Sequence, residues 1–555
     1  MSKGPIRRSH LVAPFGVGAM TVVRDGTSVI AAGLDHWYRR EDGSSDGLDD
    51  SEFRFNEWRL EGLLGVSHLR LPPDFRKKQH WISVPNCWLT VPYLRFPQWH
   101  FCPDCRTLTE LPLNAPSAER CADCRLDLVQ VSFVAMCEAG HLQDFPWREW
   151  VHRSGTPQCS GRLRLLATGG TSLASQLVTC DCGIEPRSLQ DITSANTDGT
   201  THLSHNLRAD GIEFLCRGGR PWLGSGSSVS CSKHLRGTLR NAANVYFSVT
   251  HSALYIPRSS GRTLSTESGD DELRLDEYAL LRQQHNTDEL LVEPVRVDAY
   301  RPPVVPWFSG VSLVKRLRET RAFGGFRRVN PDNNQTVAEL KSVLRKTPLT
   351  PAEDWLPAVI VRGEGIFLEL DAHALAQWEQ REDVIRRVSV LVSNYARAGR
   401  EAKGVTPRMV LLHTLAHLLI NRMAYECGYG SASLRERLYV SSESGSPMAG
   451  VLIYTAAGDS EGTLGGLVRA GQPGSLEAIL ARSIGGASWC SADPICMELG
   501  RRAGQGPLSC NLAACHSCAH VPETACEQFN RFLDRGVVVG DPLSDTVRGF
   551  FQDAV

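Results

Sequence analysis

Near the end of the chain, Cys510, Cys515, Cys518 and Cys526 stand in one short run spaced C-x4-C-x2-C-x7-C. No other feature constrains the fold as tightly. A zinc ion takes four soft or borderline ligands at tetrahedral corners, and a C-x2-C step brings two thiolates to one ion from a single turn. The segment around the run has little apolar material of its own. A metal there would do the work that a hydrophobic core does elsewhere. The run therefore predicts a four-cysteine zinc site, with buried free thiols as the alternative. Just upstream, Cys490 and Cys496 are left unassigned by their spacing.

A second cysteine pattern is more regular. Cys102-Pro103-Asp104-Cys105 and Cys121-Ala122-Asp123-Cys124 form C-x2-C-x15-C-x2-C, the spacing of two zinc knuckles. Four thiols leave no coordination position open to water, so a structural role is expected. Cys180 and Cys182 with Cys216 and Cys231 supply a further candidate set, and Cys137, His141, His152 and Cys159 a mixed one. With 18 cysteines in 555 residues, a chain of this length reads as metal-binding in a reducing compartment rather than as a disulfide scaffold. The basic start, Met1 to Arg8, is followed by no apolar run of signal or membrane-span length. The expectation is a cytoplasmic protein with no membrane association.

Length implies several domains. The fold class expected is mixed α/β (α+β), multi-domain, with zinc-ribbon-like modules and a C-terminal α/β domain. The segments are a β-rich region over 1–100, a cysteine-rich zinc-binding region over 101–260, a mixed α/β region over 278–400 and a C-terminal domain over 401–555. Gly261 to Glu277 reads as a linker. Thr406-Pro407 is a good N-cap and first-turn pair, and Gly428 a good stop, so a helix is predicted from Pro407 to about Cys427. His413, His417 and Asn421 share one face of it. The leucines around them favour satisfied core histidines over metal chemistry, and His413-Thr414-Leu415-Ala416-His417 lacks the glutamate of an H-E-x-x-H site. Val451 to Thr455 reads as a buried strand leading to Asp459 and Glu461.

Lys and Arg total 60 and Asp and Glu 61, a net charge of -1. Any contact with DNA must then be local. The candidate is Lys315, Arg316, Arg318, Arg321, Arg327 and Arg328, interleaved with Phe323 and Phe326, where cations would neutralise phosphates and rings would stack bases. A solvated helix face joined to a turn is the bland reading. Pro14-Phe15-Gly16-Val17-Gly18-Ala19 reads as a tight turn rather than a phosphate loop, and Gly43-Ser44-Ser45-Asp46-Gly47 matches a hydrolase elbow in letters only.

The cysteine tail, with Trp489-Cys490-Ser491-Ala492-Asp493-Pro494, Asn530 and Leu533-Asp534-Arg535, resembles the zinc-binding tail of MrfA-type DNA helicases. The resemblance is narrower to the DrmB family, the non-helicase component of the DISARM anti-phage defence system. Phe145-Pro146-Trp147, Arg220-Pro221-Trp222-Leu223-Gly224, Asn244-Val245-Tyr246-Phe247 and Asp459 to Gly466 extend it. It implies a cytoplasmic, zinc-binding subunit that forms a heterodimer with a DrmA-like helicase and engages phage DNA, partly single-stranded. No G-x-x-x-x-G-K-[ST] occurs, so the chain lacks the standard ATP-binding loop. The reading is a non-catalytic accessory subunit. The alternative is a metal-dependent hydrolase or nuclease using His413, His417, Asp459 and Glu461.

Overall fold

The computed structural model describes residues 6–40, 42–45, 48–76, 85–115, 119–196, 200–207, 213–258, 264–266, 269–332, 334–443, 445–455, 465–502, 504–541 and 546–554. The fold is mixed α+β. It divides into two units, Met1–His251 with Arg321–Val359, and Ser252–Thr320 with Ile360–Val555. Two long strands, Phe308–Arg327 and Trp355–Leu370, each have residues in both units. Both units are thus discontinuous in sequence.

The first unit is built from short strands. Antiparallel three-stranded sheets form around Ser28–Ala31, Trp99–Phe101, Phe133–Met136 and Gln176–Cys180. Strands of this length bury little by themselves. Phe133, Phe145, Trp147, Trp150 and Leu203 collect into one core together with Cys137, Cys180 and Cys216. Trp147 and Trp222 are buried anchors; Trp222 is fully buried and donates its Nε1–H to the Val343 carbonyl at 2.7 Å. Gly16 and Gly18 have a packing reason. A Cβ on Gly16 would stand 2.9 Å from the Phe323 ring, and one on Gly18, at φ +76, 2.8 Å from the Phe326 ring.

In the second unit the sheet order is His285–Asn286, Leu291–Val295, Phe308–Arg327, Trp355–Leu370, Met448–Thr455 and Leu434–Ser441. All eight residues of Met448–Thr455 are buried. Alternation explains why: Val451 and Ile453 join one core and Leu452 and Tyr454 the other, and Ile366 and Leu368 oppose Phe367 in the same way. The helix Pro407–Cys427 covers the first face. It starts at the Thr406 cap, whose side chain accepts from Met409 N, and stops at Gly428 in the left-handed region. The helix Asp270–Leu281 covers the second face through Tyr278 and Leu281. That helix occupies part of the stretch read as a linker; Leu273, Tyr278 and Leu281 repeat at helical spacing on its buried side. Arg362 to Gly365 continue the strand, with Gly363 and Gly365 packed against the backbone of Thr455 and Ile453. The edge strand Leu434–Ser441 is covered: Glu527 accepts from Leu438 N at 3.1 Å and donates its own N–H to Glu436 at 2.9 Å.

Candidate metal centres

Among the described residues, five groups of four side chains converge so that their ligand atoms lie within 4.8 Å of one another. Four zinc–sulfur bonds of about 2.3 Å at tetrahedral angles set sulfurs about 3.8 Å apart, whereas a disulfide needs about 2.05 Å. The observed separations follow the first figure.

Cys102, Cys105, Cys121 and Cys124 form the first group, with Cys105 and Cys121 Sγ 3.6 Å apart. Each C-x2-C closes on a backbone bond, Arg106 N to Cys102 O at 3.0 Å and Arg125 N to Cys121 O at 2.9 Å. Arg106 and Arg125 take φ +63 and +62. These are paired knuckles of the kind the spacing implies.

The next cysteines regroup. Cys216 and Cys231 join Cys137 and His141, with Cys137 Sγ 3.9 Å from Cys231 Sγ and 3.5 Å from His141 Nδ1. Cys180 and Cys182 join His152 and Cys159, with Cys159 and Cys180 Sγ 3.7 Å apart and Cys182 Sγ 3.5 Å from His152 Nε2. His152 Nδ1 lies 2.7 Å from the Arg148 carbonyl, which leaves Nε2 facing the thiols. The two sets drawn from sequence, one purely thiol and one mixed, are thus exchanged in halves. Partners far apart in sequence are brought together by the sheet pairing Phe133–Met136 with Arg236–Leu239, and Leu163–Ala167 with Gln176–Cys180.

The tail regroups too. Cys515 and Cys518 meet Cys490 and Cys496, with Sγ separations of 3.5 Å for Cys490–Cys515, 3.9 Å for Cys496–Cys518 and 3.7 Å for Cys515–Cys518. Cys510 lies instead in the apolar core, and Cys526 joins His413, His417 and Glu436. The Cys515-x2-Cys518 turn closes on the Cys515 carbonyl, which accepts from Cys518 N at 3.2 Å and Ala519 N at 3.0 Å. Asp534 holds that turn's base: it accepts from Arg387 at 2.6 and 2.9 Å, from Ala513 N at 3.2 Å and from Gly536 N at 2.9 Å. Arg535 reaches the Ala487 carbonyl and Asp493, beside Cys490. Asn530 brackets Val521 through bonds to its N–H and C=O. The residues that carry the tail resemblance are therefore those that lock this module.

The donor sets fit zinc. In each of the four cysteine-rich groups one thiol is drawn toward thiolate: Cys105 to about 6, first by the Thr107 hydroxyl; Cys137 to about 4, first by its hydrogen bond with Cys216; Cys182, first by the Ile184 backbone N–H; and Cys496 to about 5, first by its bond with Cys518 and further by the Arg535 guanidinium. A ready thiolate in a thiol cage is what a borderline-soft divalent ion needs. Zinc is the cofactor these sites take. Bound there, it would cross-link loops. Each of the four cysteine-rich groups supplies four protein ligands and so no position for substrate.

The basic run is a strand, not a helix face. Arg328 is fully buried: its guanidinium donates to the carbonyls of Gly140, Val245 and Gly18 and lies over the rings of Trp222, Tyr246 and Phe326. Arg321 is also buried, as are Phe323 and Phe326. These four cannot meet a phosphate or a base, which corrects the expectation for them. Arg327 is half-buried and donates to Pro331 O at 2.8 Å. Lys315 and Arg316 are exposed; Lys315 pairs with Glu293 at 2.6 Å, Arg316 donates to the carbonyls of Thr287 and Asp288, and Arg318 pairs with Glu289 at 3.5 Å.

Two family models match the chain: DUF8724, a domain of unknown function, over residues 7–247, and the MrfA Zn-binding domain over residues 415–519. DISARM protein DrmB of Bacillus paralicheniformis is 28% identical over 540 residues, which cover 84% of this chain and 92% of that protein. The chain is similar to DrmB over most of its length. The likeness to DrmB takes in both units, and the MrfA Zn-binding match ends just past Cys518, so it holds the whole Cys490–Cys518 tetrad but not Cys526. Among the described residues no helix is long and apolar enough to cross a membrane.

Proposed function

We propose that this chain is a non-catalytic, zinc-braced subunit of a DISARM-type defence system that pairs with a DrmA-like helicase and binds DNA in the cytoplasm. The observation that carries the reading is the similarity to DISARM protein DrmB along most of both chains. The thiol-rich tetrads support it, because they fit bracing rather than chemistry. The hydrolase alternative needs solvent access to His413 and His417, yet both are fully buried. Its other members, Asp459 and Glu461, lie outside the described residues.

The DNA contact is assigned to the exposed part of the basic run, Lys315 and Arg316, with Arg318 and Arg327 beside them in sequence. Purified chain, alone and mixed with its helicase, is expected to retain DNA at low salt and to lose it steeply as salt rises. Lys315→Glu with Arg316→Glu is expected to weaken retention uniformly across sequences and to lower the salt slope by about 2. Absence of retention by both preparations at low salt would overturn the DNA-binding reading; failure to co-purify with the helicase would overturn the pairing.

A further inference from the structure

The buried group His413, His417, Glu436 and Cys526 is neither a thiol cage nor within reach of substrate. We infer that it is a fifth, closed zinc site, with a two-imidazole, one-carboxylate, one-thiolate ligand set, that pins the C-terminal segment to the sheet. The inference is independent of the helicase and DNA assignments.

The geometry is that of one ion's ligand shell. His413 Nε2 lies 3.2 Å from Cys526 Sγ and 3.2 Å from Glu436 Oε1, and His417 Nε2 lies 3.6 Å from Glu436 Oε2. Around zinc, with Zn–N and Zn–O bonds of about 2.0–2.1 Å and Zn–S of about 2.3 Å, neighbouring ligand atoms stand about 3.3–3.6 Å apart. The two rings sit one helical turn apart, with centroids at 4.5 Å.

The protein orients three of the four ligands from behind, while His413 Nδ1 has no hydrogen-bond partner. His417 Nδ1 lies 2.7 Å from the Ala519 carbonyl, so that nitrogen carries the proton and Nε2 turns a lone pair inward. Glu436 Oε1 accepts from Glu527 N at 2.9 Å. Cys526 Sγ accepts from Gln528 N and Asn530 N, each at 3.2 Å. Two atoms then remain buried without a hydrogen-bond partner in the centre, His417 Nε2 and Glu436 Oε2. Both are acceptors. Two lone pairs facing each other in an unhydrated interior are costly, and a cation between them removes the cost.

Charge selects a divalent ion. One carboxylate and one thiolate against a zinc ion sum to zero, which suits buried side chains. Two imidazoles, one oxygen and one sulfur suit zinc better than a hard, oxygen-seeking ion. All four tetrahedral corners are filled by protein, so the site is structural. It joins the Pro407–Cys427 helix, the edge strand Leu434–Ser441 and the segment after Glu523–Ala525.

Anomalous diffraction from wild-type crystals tests this directly. A zinc-edge peak among the four side chains is expected, separate from any peak in the Cys490–Cys518 tetrad. Peaks at the cysteine-rich groups with none here would overturn the site, and a peak showing an iron edge without a zinc edge would overturn the choice of metal. In solution, Glu436→Gln and Cys526→Ser should each lower bound zinc by one ion per chain. A folded variant with an unchanged zinc content would also overturn the site. If both variants fail to fold, the wild-type map decides.

Discussion

Cys518→Ser is expected to cost the protein one zinc ion and the fold of its C-terminal module, whereas Cys510→Ser should leave the zinc content unchanged. The contrast follows from placement. Cys518 stands 3.7 and 3.9 Å from two other thiols. Cys510 is buried among Leu512, Phe532 and other apolar side chains of the core. Structural zinc contributes about 10–16 kcal/mol of apparent binding free energy in small modules, and a whole domain is stable by about 5–15 kcal/mol. Losing the ion therefore exceeds what the remaining contacts of a short-looped module supply. Replacing Cys510 changes one buried sulfur to a hydroxyl and should cost about 1–3 kcal/mol. Zinc per chain, with limited proteolysis of residues 490–535, checks both. Equal loss of zinc in the two variants would restore the Cys510–Cys515–Cys518–Cys526 grouping that spacing alone suggests.

Arg437→Met is expected to destabilise the second unit by about 3–5 kcal/mol, the cost of leaving a buried partner charge unpaired. Arg437 and Glu277 are both fully buried. The guanidinium donates to Glu277 at 2.6 and 2.7 Å and to the Ser252 hydroxyl and carbonyl at 2.6 and 2.9 Å. Glu277 also accepts from Leu254 N at 2.9 Å and from the Tyr439 hydroxyl at 3.1 Å. Removing the arginine leaves a buried acid that keeps its Leu254 and Tyr439 donors but loses the guanidinium that balances its charge. Converting Glu277 to Met as well removes that acid and should recover part of the loss. Chemical denaturation of the single and double variants measures this. A single-variant loss under about 1 kcal/mol would show that the pair is not holding the Asp270–Leu281 helix to the sheet.

Legibility in the sequence tracked how local each determinant is. The Cys102–Cys124 knuckles were legible because every pair sits within one turn, and the C-x2-C rule describes a single turn's geometry. The Pro407–Cys427 helix was legible from its ends, since Thr406 and Gly428 act on neighbouring backbone. The strand at Val451 to Thr455 was legible as a continuous apolar run and extends back to Met448. The sharing of the remaining cysteines was not legible. Cys137 meets Cys231 only because two strands distant in sequence pair, and spacing carries no record of that. Cys490 and Cys496 are separated by five intervening residues and form no knuckle, although Cys515-x2-Cys518 needed two further ligands from somewhere. Glu436 had no signal at all, being an isolated acid in a strand. The basic run misled because it lies in a long strand, Phe308–Arg327, in which only Lys315 and Arg316 form an exposed step between buried Val314 and Leu317. Its end, with Arg321, Phe323 and Phe326, is buried on both faces.

All of this rests on metal held by thiols and imidazoles in place of a larger apolar core. The most direct measurement is the zinc-to-protein ratio of folded, full-length chain purified without added metal, followed through chelation. The account predicts four or more zinc ions per chain, and unfolding of the cysteine-rich regions as a strong chelator removes them. A folded chain that holds no zinc and is unmoved by the chelator would contradict it.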